Sequence, residues 1–179
     1  MTMMDKVNAG AHSVANAMFD REAPSYLEAT AAYSIIAQGR LINSVLSIMY
    51  NHARDPELRI LLHQALEEHN KVTIEVCEKV LQDNGGELPH FYFQERKLQD
   101  TPLDIPPDAR MSDEEIVLGL ATIAKGAQMT ILAALHHSYQ PNIAMAYRKR
   151  LDEGLDFDFR ILQLALNRGW LPHLDKVKH

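Results

Sequence analysis

His69 and Asp158 are the two side chains here whose types and positions could combine into chemistry inside a helical protein. An imidazole and a carboxylate that meet away from water make either a hydrogen-bonded pair or two ligands of one metal ion. Each lies on the apolar stripe of a long helical pattern. His69 belongs to the series Leu58, Leu62, Ala65, His69, Val72, Val76, and Asp158 to Tyr147, Leu151, Gly154, Asp158, Ile161, Ala165. Steps of three and four put each series on one helix face. Gln38 and Thr130 fall on two further patterns at a matching level. The candidate site is therefore a buried polar layer of Gln38, His69, Thr130 and Asp158, in which His69 donates to Asp158.

The metal alternative is narrower. A dimetal centre in a four-helix bundle takes a Glu from each of two helices and a Glu-x-x-His from each of the other two. Three residues before His69 stands Leu66, and the literal Glu87-Leu88-Pro89-His90 falls in a proline-rich stretch. One carboxylate and one imidazole cannot balance two divalent ions, so no cofactor and no dimetal site are expected. His69 and Asp158 stay weak candidates for a single ion. His63 and Glu67, spaced i, i+4, read as a surface contact. Asp152, Glu153 and Asp156 read as a solvated face, and Cys77 as a small buried hydrophobe. No nucleophile elbow, phosphate loop or dinucleotide fingerprint is present. The chain reads as non-enzymatic, with a degenerate metal oxidoreductase or a core-binding small-molecule carrier as the rival classes.

Four long helical patterns must position these residues. Ser25 and Glu28 form a capping box that opens the first, which runs to about Tyr50. Asp55 caps the second and Pro56 takes its first position; this pattern runs to about Asn84 and stops at Gly85-Gly86. Residues 85–111 hold Pro89, Pro102, Pro106 and Pro107 and cannot be one helix. Ser112 and Glu115 box the third helix, and the fourth follows Pro141 and ends at Gly169. Short, long and short links give an all-α, ferritin-like four-helix bundle with a crossover between its second and third main helices. The first and fourth helices then run one way and the other two the opposite way. Counted at ~1.5 Å per residue, the four candidate side chains fall within about a turn of one another.

The organisation expected is an N-terminal arm or extra helix at 1–23, the bundle at 24–172 and a short tail at 173–179. The crossover, with its aromatic start His90-Phe91-Tyr92-Phe93, is expected to lie along the bundle. Gly119, Gly126 and Ala133 repeat every seven residues and suggest a closely approaching neighbour. The first helix has two apolar stripes, Ala32-Ile35-Ile42-Leu46-Met49 and Ser34-Leu41-Val45-Ile48, and one core uses only one of them fully. A homodimer is expected to use the other.

In 179 residues there is a single cysteine, so no disulfide forms within the chain. A net charge of −6 disfavours nucleic acid and anionic lipid as partners. No apolar run reads as the ~20 residues that cross a bilayer, and no secretion signal is evident, which gives a cytoplasmic expectation without membrane insertion.

Asp55-Pro56-Glu57-Leu58, Ala65-Leu66-Glu67, Lys71, Leu81-Gln82-Asp83-Asn84-Gly85 and Pro89 resemble a ferritin-like domain-of-unknown-function family of spore-forming bacteria. The C-terminal Leu164-Ala165-Leu166-Asn167-Arg168-Gly169-Trp170 resembles the helix end of that family and of the related spore coat protein F-like proteins. The resemblance spans roughly residues 25–172 and brings no catalytic residues. It implies a structural or interaction role, with spore coat proteins as partners and a spore-associated location. Family members are often two bundles in tandem, which implies that a second copy of this single bundle supplies the other.

Overall fold

The local signals act where the sequence puts them. In the computed structural model, which describes residues 23–82, 85–94 and 96–171, helix α1 spans Tyr26–His52. Ser25 Oγ accepts from the Glu28 N–H, and Glu28 Oε2 accepts from the Ser25 N–H at 2.8 Å. Asp55 Oδ1 accepts from the Glu57 and Leu58 N–H groups and opens α2, Pro56–Gln64. A π-helical segment, Ala65–Asn70, carries α2 into α3, Lys71–Gln82. A second capping box on Ser112 and Glu115 opens α4, Asp113–His136. Helix α5, Pro141–Arg168, ends on Gly169 with φ 71°, where the Trp170 N–H bonds the Ala165 carbonyl. The expected tail at 173–179, and all but Ala23 of the expected arm, lie outside the described residues.

The apolar faces meet in two clusters. Leu46 and Met49 from the end of α1, Leu58 and Leu62 from α2, Ile116 and Leu120 from the start of α4, and Ile161 and Leu164 from the end of α5 form one. Ile35 and Ile36 from the start of α1, Ile74 and Cys77 from α3, Ile131 and Ala134 from the end of α4, and Ile143 and Tyr147 from the start of α5 form the other. Helices α1 and α5 therefore run one way and α2–α3 and α4 the other. This is the all-α four-helix bundle with one long crossover that the link lengths predict.

One stripe is corrected. The series through Leu58, Leu62 and Ala65 was expected to continue at Val72 and Val76, but the buried residues beyond the π segment are Ile74, Cys77 and Leu81. A π turn takes up extra residues per turn, so the core-facing positions resume later than a 3.6-residue repeat places them. Gly39 matches this shift: a Cβ there would stand 2.7 Å from Ile74 Cγ1, so α1 and α3 touch at that level.

Charged and polar side chains tie down the ends and the crossover. Glu28 is 1% exposed, and its Oε1 accepts from the Tyr139 and Gln140 N–H groups, both at 2.9 Å. One carboxylate thus caps α1 and fastens it to the α4–α5 turn. At the other end the Arg168 guanidinium bridges Asp55 at 2.8 Å and Glu57 at 3.1 Å. Buried Arg59 donates to the carbonyls of Tyr50, Ala53, Gln99 and Asp100, with its guanidinium 4.2 Å from the Tyr50 ring centroid. Asn51 bonds the Lys97 carbonyl and the Gln99 N–H, and Arg40 bonds the Pro89 and Phe91 carbonyls. The crossover does lie on the bundle, held through its backbone, while Phe91, Tyr92 and Phe93 stay exposed.

Helix α4 overturns the expectation that no segment is apolar enough to span a bilayer. An 18-residue window within Asp113–His136 has mean hydropathy 1.6, and 22% of that window is buried. Thr122, Lys125 and Thr130 interrupt the apolar run in the sequence. Length and composition alone qualify it; its inner face packs into both core clusters, and its outer face leaves Leu118 and Met129 exposed.

Candidate functional site

Between the two clusters lies a cavity of ≈ 90 Å³, walled by every main helix. Helix α1 contributes Ile35, Gln38, Gly39 and Ile42, the π segment His69 and Asn70, α4 Ile123, Ala124, Ala127, Gln128 and Thr130, and α5 Arg150, Gly154 and Phe157. The sequence levels were sound for three of the four candidates: Gln38, His69 and Thr130 line one space. Asp158 is not among its walls.

The expected polar layer is not assembled. No hydrogen bond joins His69 to Asp158, and Asp158 Oδ1 is buried without a partner. The His69 ring instead lies against Phe157, one residue before Asp158, with centroids 4.5 Å apart and planes tilted by 39°. The π segment accounts for this: it carries His69 off the line of Leu62 and Ala65 on which the pairing was predicted. Thr130 Oγ1 donates to the Gly126 carbonyl within its own helix. Gln38 is exposed at the rim.

Sequence reasoning missed the residues that shape the cavity. Gln128 Nε2 donates to the Gly154 carbonyl at 2.9 Å, and its side chain packs 3.2 Å from where a Gly154 Cβ would stand. Asn70 Nδ2 donates to the Gly39 carbonyl and to Asn43 Oδ1, both at 2.7 Å. The usable signal was the unbroken helical polarity of 67–70 inside a buried helix, Glu-Glu-His-Asn, where a core stripe would need an apolar residue.

Burial pushes His69 below the ordinary imidazole value of 6.5, while Glu153 and Glu68 act upwards and Arg150 and Arg160 downwards. Burial thus favours the neutral form of the ring. Arg150 pairs with Glu153, so the cationic side of the wall is already balanced.

The remaining candidates are accounted for structurally. Lys71 pairs with Glu67, leaving His63 exposed and 6.3 Å from the Tyr50 ring. Asp152 and Glu153 pair with Arg148, Lys149 and Arg150 along α5. Burial pushes the Cys77 thiol up to about 12, beside the Tyr147 hydroxyl, which makes it a poor nucleophile. Gly119 does receive a neighbour, Met49 Cε, 2.8 Å from where its Cβ would stand; Gly126 faces open space and Ala133 is exposed, which corrects the expected continuous close approach. Among the described residues, no three His, Cys, Asp or Glu side chains converge on a point where a metal ion could sit.

Comparison with known proteins agrees with the fold. A crystal structure of a candidate spore coat protein from Bacillus halodurans superposes with a TM-score of 0.80 at 22% identity, covering 88% of this chain and 98% of that one. No curated protein matches the chain. Residues 14–174 match the family described as protein of unknown function DUF3231, a match that takes in all four helices and the crossover. The chain belongs to the DUF3231 family.

Proposed function

We propose that this chain is a non-enzymatic, ferritin-like bundle that works by association, as a structural component of the spore-coat type, and that it pairs with a second copy through its α1–α4 face. The observation that carries the reading is α4: a helix apolar enough for a bilayer with 22% of its apolar window buried. On its outer side Leu118 is 36% and Met129 67% exposed, apolar side chains of the kind a partner covers. Helix α1 borders it. The stripe Ala32, Ile35, Leu46 and Met49 is used by the chain's own core, so the alternate stripe, with Leu41 49% exposed, is the one left for a partner. A two-fold pair brings like faces together and closes. The resemblance to proteins with two bundles in tandem supports the same arrangement, with the second bundle supplied in trans.

The likeness to the Bacillus halodurans protein supports a place in the spore, reached from the cytoplasm of the cell that makes it. Coat extracts of purified spores from the host organism test this. The expected result is the chain in the coat fraction; recovery from vegetative cytoplasm alone contradicts the spore reading and leaves the pairing to be judged separately.

A further inference from the structure

The cavity at the middle of the bundle has a construction that pairing does not use. Each helix draws back from it at one level. Helix α2–α3 does so through its π segment, a departure from α-geometry that occurs mostly as single turns at functional sites. Helix α4 presents Ala124 and Ala127, and α5 presents Gly154. Aliphatic side chains of α1 and α4, Ile35, Ile42, Ile123 and Ile131, with Phe157 of α5, make most of the wall.

The polar atoms in that wall are few. Gln128 spends its amide N–H on the Gly154 carbonyl, which turns its Oε1 into an acceptor with no bond. Asn70 likewise donates to Gly39 and Asn43 and keeps its Oδ1. His69 makes no side-chain hydrogen bond among the described residues, and its neutral form, which burial favours, offers one acceptor nitrogen and one N–H donor. The one cation, Arg150, is held by Glu153. A few polar groups set in an apolar wall suit a ligand with an apolar body and one hydroxyl, and a desolvated anion is disfavoured by the lack of a free positive charge.

The geometry points to a binding site, formed by His69, Gln128 and the surrounding isoleucines, for a small neutral molecule of about one ring that carries one hydrogen-bond donor, a phenol-like compound. The pocket of ≈ 90 Å³ is open at Gln38, so a single ring enters it with part of its edge at the rim. The site lies within one chain, so it stands or falls apart from the pairing.

Methyl NMR of the full chain with labelled isoleucine is the test, with phenol, benzene and benzoate as probes. Phenol is expected to shift the methyls of Ile35, Ile42, Ile123 and Ile131 saturably. Benzene, without a donor, binds about fivefold more weakly, and benzoate leaves them in place. Ala127→Leu fills the cavity and is expected to abolish the phenol shifts while the rest of the methyl spectrum reports a folded chain. Ala124→Val serves the same purpose with a smaller addition should the first variant not fold. No saturable shift with phenol, benzoate binding as tightly as phenol, or undiminished phenol shifts in a folded cavity-filled variant would each overturn the assignment.

Discussion

The two ends of the bundle and its middle are built on different principles. At the ends, charged side chains hold the joints: Glu28 accepts from two N–H groups of the α4–α5 turn besides its two capping-box bonds with Ser25, and Asp55 is held by Arg168 and two backbone N–H groups. In the middle, among the described residues, a histidine has no side-chain hydrogen bond, two amides each keep an oxygen unbonded, and an open pocket separates the two clusters. The ends fix topology, since helices joined there cannot change order. The middle is free to differ, because the clusters above and below it carry the fold. A protein made this way can keep its architecture while its central level is set by something other than stability.

The first way to break that contrast has the largest effect. Glu28→Ala removes a buried acceptor from two N–H groups of the α4–α5 turn and dissolves the first capping box. About 3 kcal/mol of stability should be lost, read by urea unfolding. A loss under about 1 kcal/mol would mean that the joint is not where the fold is held.

A pH titration sharpens the same contrast with smaller effects. Burial alone would raise Glu28, but hydrogen bonds from Gln140, Ser25 and Tyr139 together hold it below the ordinary carboxylate value of 4.5. A carboxylate lowered on folding contributes stability that is present above its unfolded pKa and lost as pH falls through the folded one, so the Glu28 contribution disappears below pH 4.5. His69 titrates higher. Burial lowers it below 6.5, so the unfolded chain binds the extra proton first and the fold loses stability as pH falls below 6.5. Unfolding measured between pH 7.5 and the carboxylate range should show a shallow slope that His69→Phe removes, and a deeper acid limb that His69→Phe leaves alone. A slope unchanged in His69→Phe contradicts the placement of that ring against Phe157.

How much could be read from sequence follows the same division. Capping boxes act over three residues, as Ser25 with Glu28 and Ser112 with Glu115, and Gly169 ends its helix by its own backbone. These are local interactions, and they gave the starts of the main helices, the glycine end of α5 and the crossover. Levels along the bundle followed, since helix rise is fixed, and Gln38, His69 and Thr130 do share a level. The pairing of His69 with Asp158 failed because a π segment has no local signature: the extra residue at 65–70 is accommodated only by packing α2–α3 on α1 and α5. Arg59 and Arg40 were missed for a related reason. A helical arginine reads as solvated, and their partners are backbone carbonyls of a crossover whose course no short-range pattern gives.

The central claim is association through the α1–α4 face, and sedimentation of the purified chain at micromolar concentration tests it most directly. Met129, 67% exposed on the outer side of α4, supplies the control. The account predicts a dimer for the native chain and a folded monomer for Met129→Glu, because a buried, unpaired carboxylate at the contact disfavours pairing. A native chain that sediments as a monomer, or a dimer indifferent to Met129→Glu, would contradict it.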